Sequence, residues 1–442
     1  TLLAGLRKKL AARGVAVLHE PGCALAAGFP ENQFPFAPGE IFTDASLSVP
    51  GVRGEFWTNP TLAGEPSHAR VDPQLDLDWD YYHPQPGIAV RDASARWTAV
   101  LVPPATGAHK LDLTLSGGAR LWLDGRLVLD EWTDVPFRIR TVTTAFTAGA
   151  SVSLRLELTQ NQFTAKARLG WRAPHPLPDL ERALAAARAS DHVVLCLGIT
   201  PDLEGEENPF SCEGFVSGDR TTLDLPAPQR ALLDAVSALG KPVTLVLTTG
   251  SALSFDPSQA NAVLLAWYYG QRGGEAVAEA LLGETNPAGR LPITFYRSVA
   301  DLPDFRDYGM DGRTYRYFAG APLYAFGHGL SYATFVYDSL AYDPAARSAR
   351  ITLSNTSRRP GDEVVQLYVR DPRPGRPRLQ LCGFARVHLR AGETRTVNVP
   401  LDSRPLRRWD EALGDYVLDD IARELLAGPA SDRLLLSLSF RI

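Results

Sequence analysis

Residues 180–200 read LERALAAARASDHVVLCLGIT, and the fold turns on how that stretch is read. Leu180–Ala189 is an Ala-rich run with helical spacing, and His192–Ile199 is a short apolar run that predicts a buried strand. The same alternation continues downstream. Pro228–Leu239 predicts a helix, Pro242–Thr248 a strand, Ala262–Tyr269 a strand and Glu275–Leu282 a helix. Alternating strands and helices predict a mainly parallel sheet with helices on its faces. At the start of the chain Leu2, Leu3, Leu6 and Leu10 share one helical face, opposite Arg7, Lys8 and Lys9. Gly14 ends that helix, and Val15–Leu18 is expected as a short buried strand.

Between these two α/β pieces the period changes. From Gly51 to Trp171 the chain alternates in the manner of strands: Trp97–Leu101, Lys110–Leu115, Arg120–Leu123, Arg126–Leu129 and Val152–Leu158. Ser116-Gly117-Gly118 and Asp124-Gly125 stand between such runs as turns, the second a strong hairpin signal. This predicts an all-β module inserted into an α/β domain, a device tolerated where the host's two ends lie close together. Arg290–Leu330 is rich in Pro, Gly and Tyr and reads as a linker packed on a neighbour. Beyond Ser331 the chain is all-β again, with strands Ala349–Ser354, Glu363–Val369, Phe384–Leu389, Thr394–Pro400 and Arg433–Phe440. That spacing predicts a second β-sandwich.

Composition narrows the classes. At roughly 150 residues per domain, 442 residues suggest about three domains. Hydrophobic residues at 45% against 21% charged give the balance of a globular protein with a core. A net charge of -5 excludes a nucleic-acid footprint. The apolar run Ala262–Tyr269 falls far short of the about 20 residues a membrane helix needs. Cys23, Cys196, Cys212 and Cys382 form neither a disulfide framework nor a CxxC metal pair.

The chemistry-bearing segment is Ile199–Leu225, which follows the strand His192–Ile199. Loops at the C-terminal ends of parallel strands are where ligands and catalytic groups collect. This one carries Glu204-Gly205-Glu206-Glu207, Glu213-Gly214 and Gly218-Asp219-Arg220. Crowding of carboxylates raises one pKa, so that one group holds a proton near neutral pH. A protonated carboxyl is what glycoside cleavage needs at the leaving oxygen, although an acidic loop is also the common makeup of a solvated face.

Several ordered motifs carry a resemblance. Glu204–Glu206, Gly218-Asp219-Arg220 and Leu223-Asp224-Leu225-Pro226-Ala227-Pro228-Gln229 are followed by Ala266-Trp267-Tyr268-Tyr269-Gly270-Gln271-Arg272-Gly273-Gly274-Glu275. Asn286-Pro287-Ala288-Gly289-Arg290-Leu291-Pro292, Gly312-Arg313-Thr314-Tyr315-Arg316-Tyr317-Phe318 and Phe326-Gly327-His328-Gly329-Leu330-Ser331-Tyr332 complete the run. Together they resemble the C-terminal half of glycoside hydrolase family 3. Glu363-Val364-Val365-Gln366-Leu367-Tyr368-Val369 and Gly383-Phe384 resemble that family's fibronectin-III-like domain. The insert, with Arg96-Trp97-Thr98, Arg120–Gly125 and Asp130-Glu131-Trp132, resembles a protective-antigen-type (PA-14) domain.

The resemblance implies an α/β plus all-β chain: a parallel-sheet α/β sandwich (1–50 and 174–295) interrupted by a β insert (51–173), then a linker (296–330) and a fibronectin-III-like sandwich (331–442). It implies part of a retaining, exo-acting β-glycosidase, β-glucosidase first and β-xylosidase next, with two carboxylates about 5.5 Å apart and no cofactor or metal. Carried over, the family's acid/base falls on Glu206, with Glu207 and then Glu204 as alternatives. The family's nucleophile is an Asp on a (β/α)8 barrel, and neither that barrel nor its motif is matched here. The chain opens at Thr1, its only methionine is Met310, and the sheet's expected first strand is not matched. It is therefore expected to be a part of a longer polypeptide, inactive alone, whose partners are its barrel and an oligosaccharide or aryl β-glycoside.

In the insert, Trp79, Tyr81 and Tyr82 stand in a Pro/Gly-rich stretch where aromatic rings are candidates to stack on a sugar, against the plainer reading of sandwich packing. Asp219 and Arg220 are expected as a structural ion pair holding the loop. A periplasmic or secreted location is expected, no nucleic acid or membrane partner is, and homo-oligomerisation stays open. The competing class is a non-catalytic carbohydrate-binding or scaffold protein built from the same modules.

Overall fold

The computed structural model describes residues 1–27, 29, 36–37, 39–78, 92–133, 138–161, 166–172, 180–206 and 211–441. It contains two compact units, Thr1–Gly28 with Leu180–Ile442, and Phe29–Asp179.

The first unit opens with α1 (Leu2–Ala11), whose N-cap Thr1 accepts a bond from the Ala4 amide. Then come α2 (Leu180–Arg188), β1 (Val193–Gly198), α3 (Ala227–Ser237), β2 (Val243–Thr248), β3 (Ala262–Leu265) and α4 (Gly273–Leu281). The three strands pair in parallel in the order β1-β2-β3, with Val193 opposite Val243 and Thr244 opposite Ala262. Central strand β2 is buried along Val243–Leu247, as a strand covered on both faces must be. Leu2 of α1 packs with Val246, Val277 and Ala278, which seats α1 on α4. Gly5 makes that approach possible, because a Cβ there would lie 2.6 Å from the Gly274 carbonyl oxygen. Lys9 and Arg13 of the α1 region hold Glu284 at 2.7 and 2.6 Å.

Two expectations change here. Val15–Leu18 is not a strand: Val15 and Leu18 are about half exposed, and β1 is the last strand on its side of the sheet. Among the described residues no strand lies beside that segment, and its Val15 amide bonds the Leu10 carbonyl at 3.1 Å instead. The strand expected over Ala262–Tyr269 stops at Leu265, because Trp267 takes φ 56°, a left-handed conformation no strand accommodates.

The C-terminal sandwich comprises β4 (Phe335–Asp343), β5 (Ser348–Asn355), β6 (Gly361–Arg370), β7 (Gln380–Leu389), β8 (Thr394–Pro400), β9 (Arg408–Asp410), β10 (Asp415–Val417), β11 (Arg423–Gly428) and β12 (Leu436–Phe440). One sheet runs β4-β5-β8 and the other β7-β6-β11-β12, with Ile351, Leu353, Val365, Leu367 and Leu425 fully buried between them. The intervening segment is fastened by side chains. Arg290 meets Glu363 at 3.1 Å with both side chains almost fully buried, and Tyr337 donates to the same carboxylate at 3.2 Å. Tyr315 stacks on Phe326 at 4.2 Å and accepts the Leu381 amide, while Arg316 donates to Gln380 at 2.6 Å.

The second unit is a β-sandwich in its own right. One sheet orders His68–Asp72, Val52–Trp57, Ala93–Leu101, Val152–Gln160, Gly118–Leu123 and Arg126–Glu131, with Ile41–Phe42 also on Ala93–Leu101. The other orders Asp76–Asp78, Lys166–Arg172, Gly107–Ser116 and Arg138–Phe146. Trp97, Leu113, Leu121, Leu156 and Trp171 fill the space between them. Phe36 and Ile41 belong to this core, so the β unit begins before residue 51. Asp124 (φ 47°) and Gly125 (φ 72°) make the expected hairpin turn.

Candidate functional site

The loop that leaves β1 is fixed at its root by one buried side chain. Gln229 accepts from the Gly198 amide at 2.7 Å and donates to the carbonyls of Gly198 and Leu25, both at 2.7 Å. Gly198 has φ 138°, and a Cβ there would lie 1.9 Å from the Thr248 carbonyl oxygen, so only glycine fits this strand end. Farther along, Ser211–Cys212, Phe215–Val216 and Asp219–Arg220 fold into a small antiparallel sheet. It brings Arg220 back to the sheet's C-terminal edge.

There, segments following all three parallel strands converge on Glu204. Ser251, after β2, donates to Oε1 at 2.5 Å, and Tyr268, after β3, donates to Oε2 at 3.2 Å. The Arg220 guanidinium donates to Ser251 Oγ at 2.9 Å and to the carbonyls of Ala252 and Thr222 at 2.5 and 3.1 Å. Gly250 leaves room for the ring of Tyr268, since a Cβ there would stand 2.9 Å from Tyr268 Cε2. The left-handed turn at Trp267 takes the chain out of the strand immediately before Tyr268.

The electrostatics follow from this packing. Burial and then the negative charge and bond of Glu204 push the Tyr268 phenol up to about 12. Burial lowers the Arg220 guanidinium, and the charges of Glu204 and Asp224 oppose that effect. Arg220 directs its donors to Thr222, Ser251 and Ala252, and among the described residues it forms no ion pair with Asp219. The loop is thus held by its arginine, through backbone carbonyls rather than through the neighbouring aspartate.

Both Glu204 oxygens are engaged, whereas Glu206 is exposed and no hydrogen bond among the described residues reaches its carboxylate. Glu207, Trp79, Tyr81 and Tyr82 lie outside the described residues. Ser251 and Tyr268 were not singled out as site residues from sequence. Their signal was positional: each comes within a few residues of the C-terminal end of a parallel strand.

Residues 1–332 match the glycosyl hydrolase family 3 C-terminal domain, and residues 363–431 a fibronectin type III-like domain. The chain belongs to glycoside hydrolase family 3. Among its family 3 relatives, the xylan 1,4-beta-xylosidase of Xylanibacter ruminicola is 35% identical over 86% of this chain and 45% of its own length. A beta-glucosidase of Rhizobium radiobacter is 30% identical over 88% of this chain and 51% of its own. The crystal structure of a beta-glucosidase from Kluyveromyces marxianus superposes on all of this chain and 55% of its own with a TM-score of 0.81. Its identity of 24% makes that a likeness of fold. The chain spans about half the length of the relatives it matches.

Proposed function

We propose that this family 3 chain supplies the acid/base half of a retaining, exo-acting β-glycosidase acting on terminal β-glucosides or β-xylosides, with Glu206 as the acid/base. The observation that carries the reading is the double anchoring of Glu204 by Ser251 and Tyr268, two residues before an exposed carboxylate that no hydrogen bond among the described residues reaches. A carboxylate with both oxygens bonded to protein is a positioning group. An exposed neighbour on the same fixed loop is free to meet a substrate. In this role Glu206 gives its proton to the glycosidic oxygen as the bond breaks, then takes one from the water that releases the sugar. Glu207 is the next candidate and Glu204 the last.

The attacking carboxylate of this chemistry is an Asp on a (β/α)8 barrel, the partner domain we assign to the other half of the enzyme. That relatives run to about twice this chain's share of their length supports the assignment. We further propose Trp79, Tyr81 and Tyr82 as substrate-binding residues, and a location in the periplasm or outside the cell. A relative named periplasmic beta-glucosidase, from Salmonella typhimurium, supports the latter.

The test is hydrolysis of p-nitrophenyl β-glucoside and β-xyloside by the enzyme purified from its host, beside its Glu206→Gln variant. The ratio of the two rates names the sugar. A loss of about 10²-fold or more in the variant is expected, in line with the worth of a positioned general acid. Full activity in the variant moves the role to Glu207 or Glu204. No hydrolysis by the wild type leaves the carbohydrate-binding or scaffold reading.

A further inference from the structure

On helix α3, Gln229 is only 3% accessible, and its carboxamide meets Gly198 as a neighbouring strand would. The N–H and C=O of one strand residue point to the same side, and Gln229 bonds both, each at 2.7 Å. The other side of β1 belongs to β2, where the Ile199 amide bonds the Thr248 carbonyl at 2.9 Å. Among the described residues no strand lies on the Gln229 side. The remaining N–H of the side chain goes to the Leu25 carbonyl. Leu25 follows a segment that lies against the same helix, since a Cβ at Gly22 would stand 2.7 Å from Leu232 Cδ2. One amide thus ties together the end of β1, the segment Gly22–Leu25 and α3.

From that tie to Glu204 the chain has few ways to go. Ile199 and Leu203 are fully buried. The Thr200 carbonyl accepts the Leu203 and Glu204 amides at 3.0 and 3.2 Å, closing a turn between them. Ser251 and Tyr268 hold the far end of this stretch by a carboxylate, and Gln229 holds its near end by the main chain. A buried amide with these bonds made resists displacement, because losing a partner leaves a polar group unpaired in the interior.

From this geometry we infer that Gln229 is a positioning residue for the general-acid step: its carboxamide, standing in for a strand beside Gly198, sets where the loop carries its carboxylates. This rests on the assignment of Glu206 proposed above. Gln229 acts through Gly198 and the Thr200 turn, not on substrate. A displaced acid has a signature that partial unfolding lacks. Protonation of the leaving oxygen matters for a poor leaving group and not for one that departs as a stable anion. Loss of folded enzyme lowers every rate by the same factor.

The test is Gln229→Glu in the enzyme purified from its host, with kcat/KM measured on methyl and 2,4-dinitrophenyl β-glycosides. Glutamate keeps the shape of glutamine. Protonated, it still accepts from Gly198 and donates to one carbonyl; ionised, it sets an oxygen against the carbonyls of Gly198 and Leu25. Burial raises such a carboxyl's pKa, so one preparation passes from held to released between about pH 5 and about pH 8. Relative to the wild type at each pH, the methyl glycoside should lose about tenfold or more across that range, and the dinitrophenyl glycoside less than about twofold. Gln229→Met, which carries no charge, should show the same contrast at every pH. Equal losses on both substrates, or no loss, overturn the inference when Glu206→Gln shows the contrast, and leave the acid/base reading standing. A contrast in Gln229→Glu without one in Glu206→Gln keeps the inference and moves the acid to another carboxylate of the loop.

A second readout needs no activity. In alkali the Gln229→Glu carboxylate is ionised, so Glu204 should slip from Tyr268, whose ultraviolet titration should fall from about 12 toward about 10. A midpoint unchanged from the wild type overturns the inference whether or not the enzyme hydrolyses anything. A lowered midpoint without hydrolysis by the wild type defeats the enzyme reading and keeps Gln229 as the residue that places the loop.

Discussion

Ser251 donates its hydroxyl to Glu204 at 2.5 Å, tying the segment after the central strand to the acidic loop after the edge strand. A hydrogen bond to a charged group is worth about 1.5–3 kcal/mol, so this contact fixes the loop as well as decorating it. Ser251→Ala should leave the fold intact and loosen residues 200–206. Amide hydrogen exchange in that loop should accelerate about tenfold or more, with exchange in β2 unchanged. Equal exchange rates would remove Glu204 as the anchor.

Tyr268 offers a spectroscopic handle on the same site. Its phenol is held up at about 12 by burial and by the Glu204 charge. Glu204→Gln removes the charge and leaves the burial, so the pKa should fall toward the ordinary value of about 10. An ultraviolet titration, differenced against Tyr268→Phe, isolates this one ionisation. A midpoint that does not fall in Glu204→Gln would contradict the contact.

A side chain at Gly250 should displace the Tyr268 ring. Gly250→Val places methyl groups where the Tyr268 ring lies, 2.9 Å from the added Cβ. The ring must leave Glu204, and the perturbed Tyr268 titration should disappear with it. The melting temperature should move much less, because the displaced ring is already partly exposed.

The fold and the site differ in how far they can be read from sequence. The helix-strand alternation around β1 and β2 was legible because apolar runs with turn residues on either side have a clear period, and Asp124-Gly125 carried its turn chemistry openly. Strand β11 was not legible. Arg423-Glu424-Leu425-Leu426-Ala427 is made of good helix formers, and only pairing with β6 and β12 makes it a buried strand. Val15–Leu18 failed in the opposite direction, since an apolar run is a strand only where a neighbour bonds its backbone. At the site, Glu204 and Glu206 were visible as carboxylates in a suspect loop. Their difference in role was not, because it depends on Ser251 and Tyr268, 47 and 64 residues beyond Glu204.

The junction of linker and C-terminal sandwich depends on the buried Arg290–Glu363 pair. Arg290→Ala leaves the Glu363 carboxylate buried with the Tyr337 hydroxyl and the Val364 amide but no opposite charge from Arg290, and burial already raises its pKa. Removing one partner of a buried pair costs about 3–5 kcal/mol, and an Arg290→Met/Glu363→Leu double variant should recover most of it. Urea unfolding of the three proteins measures both steps.

Acid sensitivity of the C-terminal sandwich has a definite window. Burial alone would raise the Asp371 carboxyl, but bonds from Arg373 and the charges of Arg373 and Arg376 overcome it and hold the group at about 2. A carboxylate depressed in the folded state adds stability above its unfolded pKa of about 4 and loses it as pH falls to about 2. Asp371→Asn should remove roughly 2 kcal/mol at pH 7 and flatten the stability profile between pH 4 and pH 2. A profile as steep as the wild type's would rule this carboxylate out as the source.

The most direct measurement is azide rescue of Glu206→Ala in the enzyme purified from its host, with 2,4-dinitrophenyl β-glycoside as substrate. This leaving group needs no proton, so the variant should still form the glycosyl-enzyme, and azide should release it without a general base. The account predicts a rate that rises with azide concentration and a β-configured glycosyl azide product. A rate indifferent to azide, or an α-configured product, would contradict Glu206 as the acid/base of a retaining glycosidase.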